Sequence, residues 1–335
     1  MNYQTLGHSG LRISPLCLGT MMFGGRTEPA EAERIIGHGR EMGVNFIDTA
    51  DVYTGGRAEQ VTGAAIAGER DYWVLASKVA GVRGDGPNQR GLSRKWLFRA
   101  CEDSLARLGT DYIDIYYLHK EDPDTPLEET VRAMADLIRH GKVRYFGLSN
   151  YRSWRLAEIC HICDGLAIDR PIVSQPYYNA MNRMPEVEHL PACDFFGLGV
   201  VPYSPLARGL LTGKYAPDGP PPKDSRAGQN DRRMMQSEWR PESLQIAQTL
   251  RRHAEARGIT AGQFALAWVL NNSLVHGAIA GPRTMAQWTE NLGALDYQFT
   301  AEDEALVDRL VPMGHPSTPG YTDPAYPIEG RVPRI

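Results

Sequence analysis

The chain has no apolar run approaching the ~18 residues that a bilayer-spanning helix needs, so no membrane partner is expected. It also lacks a basic field. The net charge is −4, and basic clusters stop at pairs such as Arg232-Arg233 or Arg251-Arg252, so nucleic acid is not an expected partner. The start, Met1-Asn2-Tyr3-Gln4-Thr5, lacks the basic-then-apolar order of a secretory signal, and the expected compartment is the cytoplasm. Cysteine is scarce and odd in number, five in 335 residues, which argues against a disulfide framework. Cys160-His161-Ile162-Cys163 resembles half a metal site, but no second Cys/His pair of matching spacing follows. It falls in an expected helix, Ser153 to Cys163, with Leu156, Ile159, Cys160 and Cys163 on one face. Buried core thiols and no metal are therefore expected.

A glycine-rich dinucleotide fingerprint is missing as well. The first buried run, Leu16–Leu18, leads into Gly19-Thr20-Met21-Met22-Phe23-Gly24-Gly25. That glycine spacing is wrong for a doubly wound nucleotide fold, and no helix starts there.

What is present is ordinary globular material, 42% hydrophobic and 23% charged, enough for a large core. A hairpin opens the chain, turning at Gly7-His8-Ser9-Gly10 between Tyr3–Leu6 and Leu11–Ser14. Short apolar runs then alternate with amphipathic ones. The expected strands are Leu16–Leu18, Phe46–Asp48, Trp73–Ser77, Ile113–Leu118, Val143–Leu148, Ile172–Ser174, Val200–Pro202 and Val275–Ala280. Helices are expected between them. Leu127 to His140 has the clearest period, with Thr125 as N-cap, Pro126 at the first position, Glu128 closing a capping box and Gly141 as stop. Others span Ser93 to Leu108, Pro241 to Ala256, and a run from Thr260, boxed by Gln263, to Asn271. Eight strand–helix alternations favour an α/β class (β/α)8 TIM barrel with an N-terminal β-hairpin. The expected organisation is one barrel domain over 1–314 with a long loop at 215–240. A tail over 315–335, carrying prolines 316, 319, 324, 327 and 333, is expected to be irregular.

Four reactive residues stand at or just beyond consecutive strand ends: Asp48, Tyr53, Lys78 and His119. Each alone has a bland reading: a turn cap, a packed tyrosine, a stray amine, a structural histidine. Together, at one end of a parallel sheet, they suggest a site.

Longer motifs then add a resemblance. Leu6-Gly7-His8-Ser9-Gly10-Leu11, Leu18-Gly19-Thr20-Met21, Asp48-Thr49-Ala50-Asp51-Val52-Tyr53, Leu148-Ser149-Asn150 and Gln175-Pro176-Tyr177-Tyr178-Asn179 resemble the aldo-keto reductase family. The run from His119 to Thr130, Tyr203-Ser204-Pro205-Leu206-Ala207 and Gly281 to Asn291 resemble the branch that includes the voltage-gated potassium channel β subunits. The resemblance implies a (β/α)8 barrel that uses NADPH or NADP and takes a small carbonyl or alcohol substrate. It implies Tyr53 as proton donor, Lys78 as its partner, Asp48 as orienter of Lys78, and His119 on the substrate oxygen. A phenol needs such help, because its pKa of ~10 must fall toward working pH, and a nearby ammonium stabilises the phenolate. His119 departs from the channel β subunits, whose matching residue is usually not histidine, and favours an active enzyme.

For the cofactor, the resemblance implies Gly19, Thr20 and Met21 on the first loop. It places Ser149, Asn150 and Gln175 on the nicotinamide carboxamide and Tyr203 stacked on its ring. Ser204, Leu206, Lys214 and Arg226 would embrace the diphosphate and ribose. Gly281, Arg283, Gln287, Glu290 and Asn291 would surround the adenosine, with Arg283 on the 2′-phosphate. Walls for the substrate are expected from Met21, Phe23, Tyr53, the loop Val79–Gly91, Tyr151 and the tail. Two rivals stay open: a redox-sensing regulatory subunit of low turnover, and a Schiff-base aldolase using Lys78. The substrate's identity and any homo-oligomer are also left open.

Overall fold

The computed structural model describes residues 1–328. A two-stranded antiparallel hairpin, β1 (Gln4–Thr5) and β2 (Arg12–Ile13), precedes everything else. Eight parallel strands follow: β3 (Leu16–Gly19), β4 (Phe46–Asp48), β5 (Val74–Val79), β6 (Ile113–Leu118), β7 (Val143–Ser149), β8 (Val173–Gln175), β9 (Gly199–Val200) and β10 (Ala278–Ala280). They pair in sequence order, with β10 returning beside β3. Backbone bonds from His276 N to Val200 O at 2.8 Å and from Ile279 N to Pro202 O at 3.0 Å close the ring. The fold is the expected (β/α)8 barrel.

Side-chain alternation sorts the strands into two faces. One apolar cluster gathers Cys17, Phe46, Val74, Ala76, Ile115, Tyr117, Val173, Val201 and Ile279 inside the barrel. Leu6 and Ile13 of the hairpin join that cluster and are fully buried, so the hairpin plugs one end. The alternate residues, such as Leu18, Ile47, Leu75, Tyr116, Phe146 and Leu148, pack outward against the helices. Gly147 keeps its place in the interior for a steric reason: a Cβ there would come within 2.6 Å of both the Tyr117 ring and Val173.

The surrounding helices are α1 (Pro29–Glu41), α2 (Arg57–Ile66), α3 (Arg94–Leu108), α4 (Leu127–Arg139), α5 (Ser153–Leu166), α6 (His189–Phe196), α7 (Arg232–Ser237), α8 (Pro241–Ala256), α9 (Ala261–Asn271), α10 (Met285–Leu292) and α11 (Ala301–Leu310). Ser93 caps α3 and Gly109 ends it in the left-handed region at φ 63°. Thr260 and Gln263 form the expected capping box on α9. Cys160 and Cys163 face the core of α5, and all five cysteines are buried and free. No helix among the described residues is long and apolar enough to cross a membrane.

Several expectations need correction. Pro126, not Thr125, is the N-cap of α4, and no capping box forms. The Thr125 hydroxyl instead donates to Asp122 at 2.7 Å, and Glu128 accepts from Arg132 at 2.8 Å. β9 stops short of Pro202, which has no N–H to continue the ladder, and β10 begins at Ala278 rather than Val275. The segment 215–240 is not all loop, because Asp231 accepts from Met234 N at 2.8 Å and starts α7. The tail is irregular through residue 328 but not loose. Arg233 grips Asp323 through both outer nitrogens at 2.9 and 2.6 Å, and Ser317 N donates to Met181 O at 2.9 Å. Pro333 and the rest of 329–335 lie outside the described residues.

Candidate active site

Each strand carries the inward face one step beyond its last interior apolar residue. Two residues after Cys17, Phe46, Ala76, Tyr117, Gly147, Val173, Val201 and Ile279 come Gly19, Asp48, Lys78, His119, Ser149, Gln175, Tyr203 and Gly281. The pleat therefore aims all eight at the same mouth of the barrel. Asp48 ends its strand as expected, Lys78 lies within its strand rather than beyond it, and His119 N donates to Val79 O at 2.8 Å and extends the ladder.

The Lys78 ammonium is the hub. It is fully buried and donates to Asp48 Oδ1, to the Thr49 carbonyl at 2.8 Å and to the Tyr53 hydroxyl at 3.1 Å. Tyr53 reaches it from a tight turn over Tyr53–Gly56 that follows β4. The second Asp48 oxygen accepts from Gln175 Nε2 at 2.9 Å. Burial opposes the ammonium, but Asp48 and Tyr53 more than compensate, and its pKa stands above the ordinary lysine value. Burial also acts on the Tyr53 phenol, pushing its pKa up, and outweighs the pull of Lys78. A lowered phenol was expected from the residue pairing. The cost of desolvating a phenolate in a closed site reverses that sign.

The His119 ring lies edge-on to Tyr53, with centroids 6.1 Å apart. Burial, then Lys78 and Lys120, push its pKa down to about 3, so at neutral pH the imidazole is uncharged. A second set of bonds runs along the mouth. The Tyr203 hydroxyl donates to Asn150 Oδ1 at 2.8 Å, Asn150 Nδ2 donates to the His119 carbonyl at 2.9 Å, and Ser149 Oγ donates to the Gln175 carbonyl at 3.0 Å. Behind Tyr203, Tyr177 stacks at 5.6 Å.

These groups face a cavity of about 530 Å³. Asp48, Tyr53, His119 and every residue assigned above to the cofactor border it. Lys78 sits behind Asp48 and Tyr53. Opposite the phenol the cavity turns cationic. Arg26 and Arg283 both donate to the Asp224 carbonyl, at 2.6 and 3.3 Å. Lys214 stands beside them, and its pKa is lowered by the surrounding protein bulk and then by Arg283. Arg226 pairs with Asp231 at 3.1 Å. Arg283 N donates to Gln287 Oε1 at 2.8 Å, ahead of the N-terminus of α10, and Glu290 accepts from Thr260 at 2.6 Å.

Three expected walls move. Phe23 and Tyr151 are buried in the outer core, and Arg83, Gly86 and Gln89 of the 79–91 loop border a different cavity. Met21, Tyr53 and the tail do contribute, the tail through Ala325 and Tyr326. Arg208 and Arg233 also line the cavity and were not anticipated. Arg208 directly follows a motif that was noticed, but no local pattern marks it. Arg233 stood out only as half of the basic pair Arg232-Arg233.

A family model described as the aldo/keto reductase family matches residues 15–312. The chain belongs to the aldo/keto reductase family. Within it, the chain is similar to a probable voltage-gated potassium channel subunit beta of Oryza sativa subsp. japonica, 40% identical over 301 residues, covering 88% of this chain and 92% of the relative. A protein of the same description from Arabidopsis thaliana is 39% identical over 302 residues, again 88% and 92%. A putative voltage-gated potassium channel subunit beta of Schizosaccharomyces pombe is 34% identical over 325 residues, 92% of this chain and 93% of the relative. The aldo/keto reductase match therefore runs from β3 through α11 and contains the whole constellation around Lys78.

Proposed function

We propose that the chain is an NADPH-dependent reductase of aldehydes or ketones, running in reverse as an alcohol dehydrogenase. The observation that carries this is one cavity with a phenol–ammonium–carboxylate chain at one end and converging cations at the other. Two guanidinium groups meeting on one carbonyl oxygen, with Lys214 alongside, form an arrangement that an anion relieves. A 2′-phosphate and a diphosphate fit that end. The flat face of Tyr203 and the amide and hydroxyl groups of Ser149, Asn150 and Gln175 fit a nicotinamide carboxamide. When bound, NADPH supplies the hydride.

The chain's own residues would do the rest. His119, neutral and close to Tyr53, donates one N–H to the carbonyl oxygen and fixes its direction. Tyr53 donates its proton as the oxygen becomes alkoxide. Its raised pKa still permits this, because an alkoxide is far more basic than a phenolate. Lys78 stabilises the phenolate left behind, and Asp48 keeps Lys78 charged and in place. Gln175 holds the other oxygen of Asp48 and so connects the phenol chain to the nicotinamide subsite.

The relatives' names favour a second reading, a nucleotide-binding regulatory subunit with little turnover. His119 beside an intact Tyr53–Lys78–Asp48 chain favours turnover instead. A Schiff-base aldolase fares worse, since an ammonium held charged by Asp48 and Tyr53 is a poor nucleophile. Steady-state NADPH consumption across a panel of aldehydes and ketones tests the choice. Reduction at tens of turnovers per minute or more supports the reductase, and tight NADPH binding without turnover supports the regulatory subunit.

A further inference from the structure

Arg208 occupies an unusual position. It lies in the turn Ala207–Thr212 after β9, with a left-handed backbone at φ 54° and ψ 23°. That conformation is unfavourable for a residue with a Cβ, and it persists where surrounding structure imposes it. Its side chain borders the cavity. Nε donates to Ser237 Oγ at 3.2 Å, and among the described residues no acceptor is found for the two outer nitrogens.

Two of the three acids within reach of its charge are fully engaged elsewhere, and the third, Glu238, keeps one buried oxygen, Oε2, without a hydrogen-bond partner among the described residues. Glu238 accepts from the Tyr177 hydroxyl, Asp231 from Arg226 and Met234 N, and Asp323 from both outer nitrogens of Arg233. The charge of Arg208 is also felt at Tyr53, Tyr203 and Tyr326. Its Nε partner, Ser237, ends α7, the helix whose Arg233 holds Asp323 of the tail, so the guanidinium stands on the tail side of the cavity that Tyr53, Tyr203 and Tyr326 also line. The opposite end has its own cations, Arg26, Lys214 and Arg283, gathered around Asp224.

A planar guanidinium with free outer nitrogens matches a carboxylate in two-point geometry. We propose that Arg208 binds an anionic group on the substrate, so that the preferred substrates are aldehydes or ketones bearing a carboxylate. This rests on the reductase reading above. Arg226 also feels the charge of Arg208, so a cofactor phosphate is the competing anion.

A size-matched pair separates the cases: 4-carboxybenzaldehyde and its methyl ester. The expected result is a kcat/KM for the acid at least about tenfold above that for the ester, the scale of one charge-assisted hydrogen bond. In Arg208→Gln that ratio falls to near one, chiefly through KM, and Arg208→Lys recovers part of it. Fluorescence titration of NADPH with the same variants identifies the anion. A wild-type ratio near one overturns the proposal. So does an unchanged ratio in Arg208→Gln accompanied by weaker NADPH binding. If neither aldehyde is reduced, the carbonyl panel judges the reductase reading, and calorimetry of benzoate with the NADP-saturated protein still decides the inference. Binding that Arg208→Gln abolishes supports it; equal or absent binding in both proteins overturns it.

Discussion

Lys78 Nζ lies 3.1 Å from the Tyr53 hydroxyl while its remaining protons go to Asp48 and the Thr49 carbonyl. All three donors of the ammonium are therefore used, and the phenol is bonded to a charge that cannot turn away. Removing the phenol oxygen should cost the proton donor and little else. Tyr53→Phe is expected to reduce turnover by at least ~100-fold, the low end of general acid catalysis. NADPH affinity should stay nearly unchanged. Turnover and cofactor titration on one preparation check this, and normal turnover in the variant would remove Tyr53 from the mechanism.

The same bonds predict a stability effect. Asp48 and Lys78 are both buried, so deleting one partner strands the other. Lys78→Met should destabilise the fold by ~3–5 kcal/mol, the range for breaking a buried pair. Replacing both partners, as in Asp48→Asn with Lys78→Met, should recover much of that loss while activity stays absent. Urea denaturation of the singles and the double gives the cycle. Additive losses would mean that the pair is not coupled.

His119 gives a pH prediction. Its folded pKa is about 3 against an ordinary value of 6.5. The unfolded chain thus binds this proton more readily. The contribution of His119 to stability is complete above pH ~6.5 and declines as pH falls from there toward ~3. Activity should show no imidazole limb between pH 5 and 8, and His119→Asn should blunt the acid loss of stability. A kcat/KM profile bending near pH 6.5 that flattens in the variant would contradict a neutral, buried imidazole.

Cofactor choice should rest on Arg283. Arg283→Ala is expected to weaken NADPH binding by ~1.5–3 kcal/mol, the range for hydrogen bonds to charged groups, with NADH little affected. Equal losses for both cofactors would show that Arg283 does not read the 2′-phosphate.

The segment over 215–240 should respond to the cofactor. It carries Arg226 and α7, and it is tied to the tail by Arg233 and Asp323. Saturating NADP should slow hydrogen exchange across 215–240 and in the tail together, since the Arg233–Asp323 bond links them. Protection that stays the same with and without NADP would rule out a clasp.

Much of this protein was readable along the chain. Apolar runs separated by capped helices specified the barrel, because strand and helix periods are local properties. The inward set from Gly19 to Gly281 was also implicit, because a period of two continues the interior face past Phe46, Ala76 and Tyr117 to Asp48, Lys78 and His119. Local rules failed where a competing partner or the burial of a group decided the outcome. Asp122 took the Thr125 hydroxyl, and α4 lost its expected cap. Burial outweighed the lysine at Tyr53 and reversed the expected pKa shift. The meeting of Arg26 with Arg283 on Asp224, the bond from Arg208 to Ser237, and the grip of Arg233 on Asp323 all join segments far apart in sequence. Desolvation and long-range charge depend on what surrounds a group in space, and only the folded chain sets those surroundings.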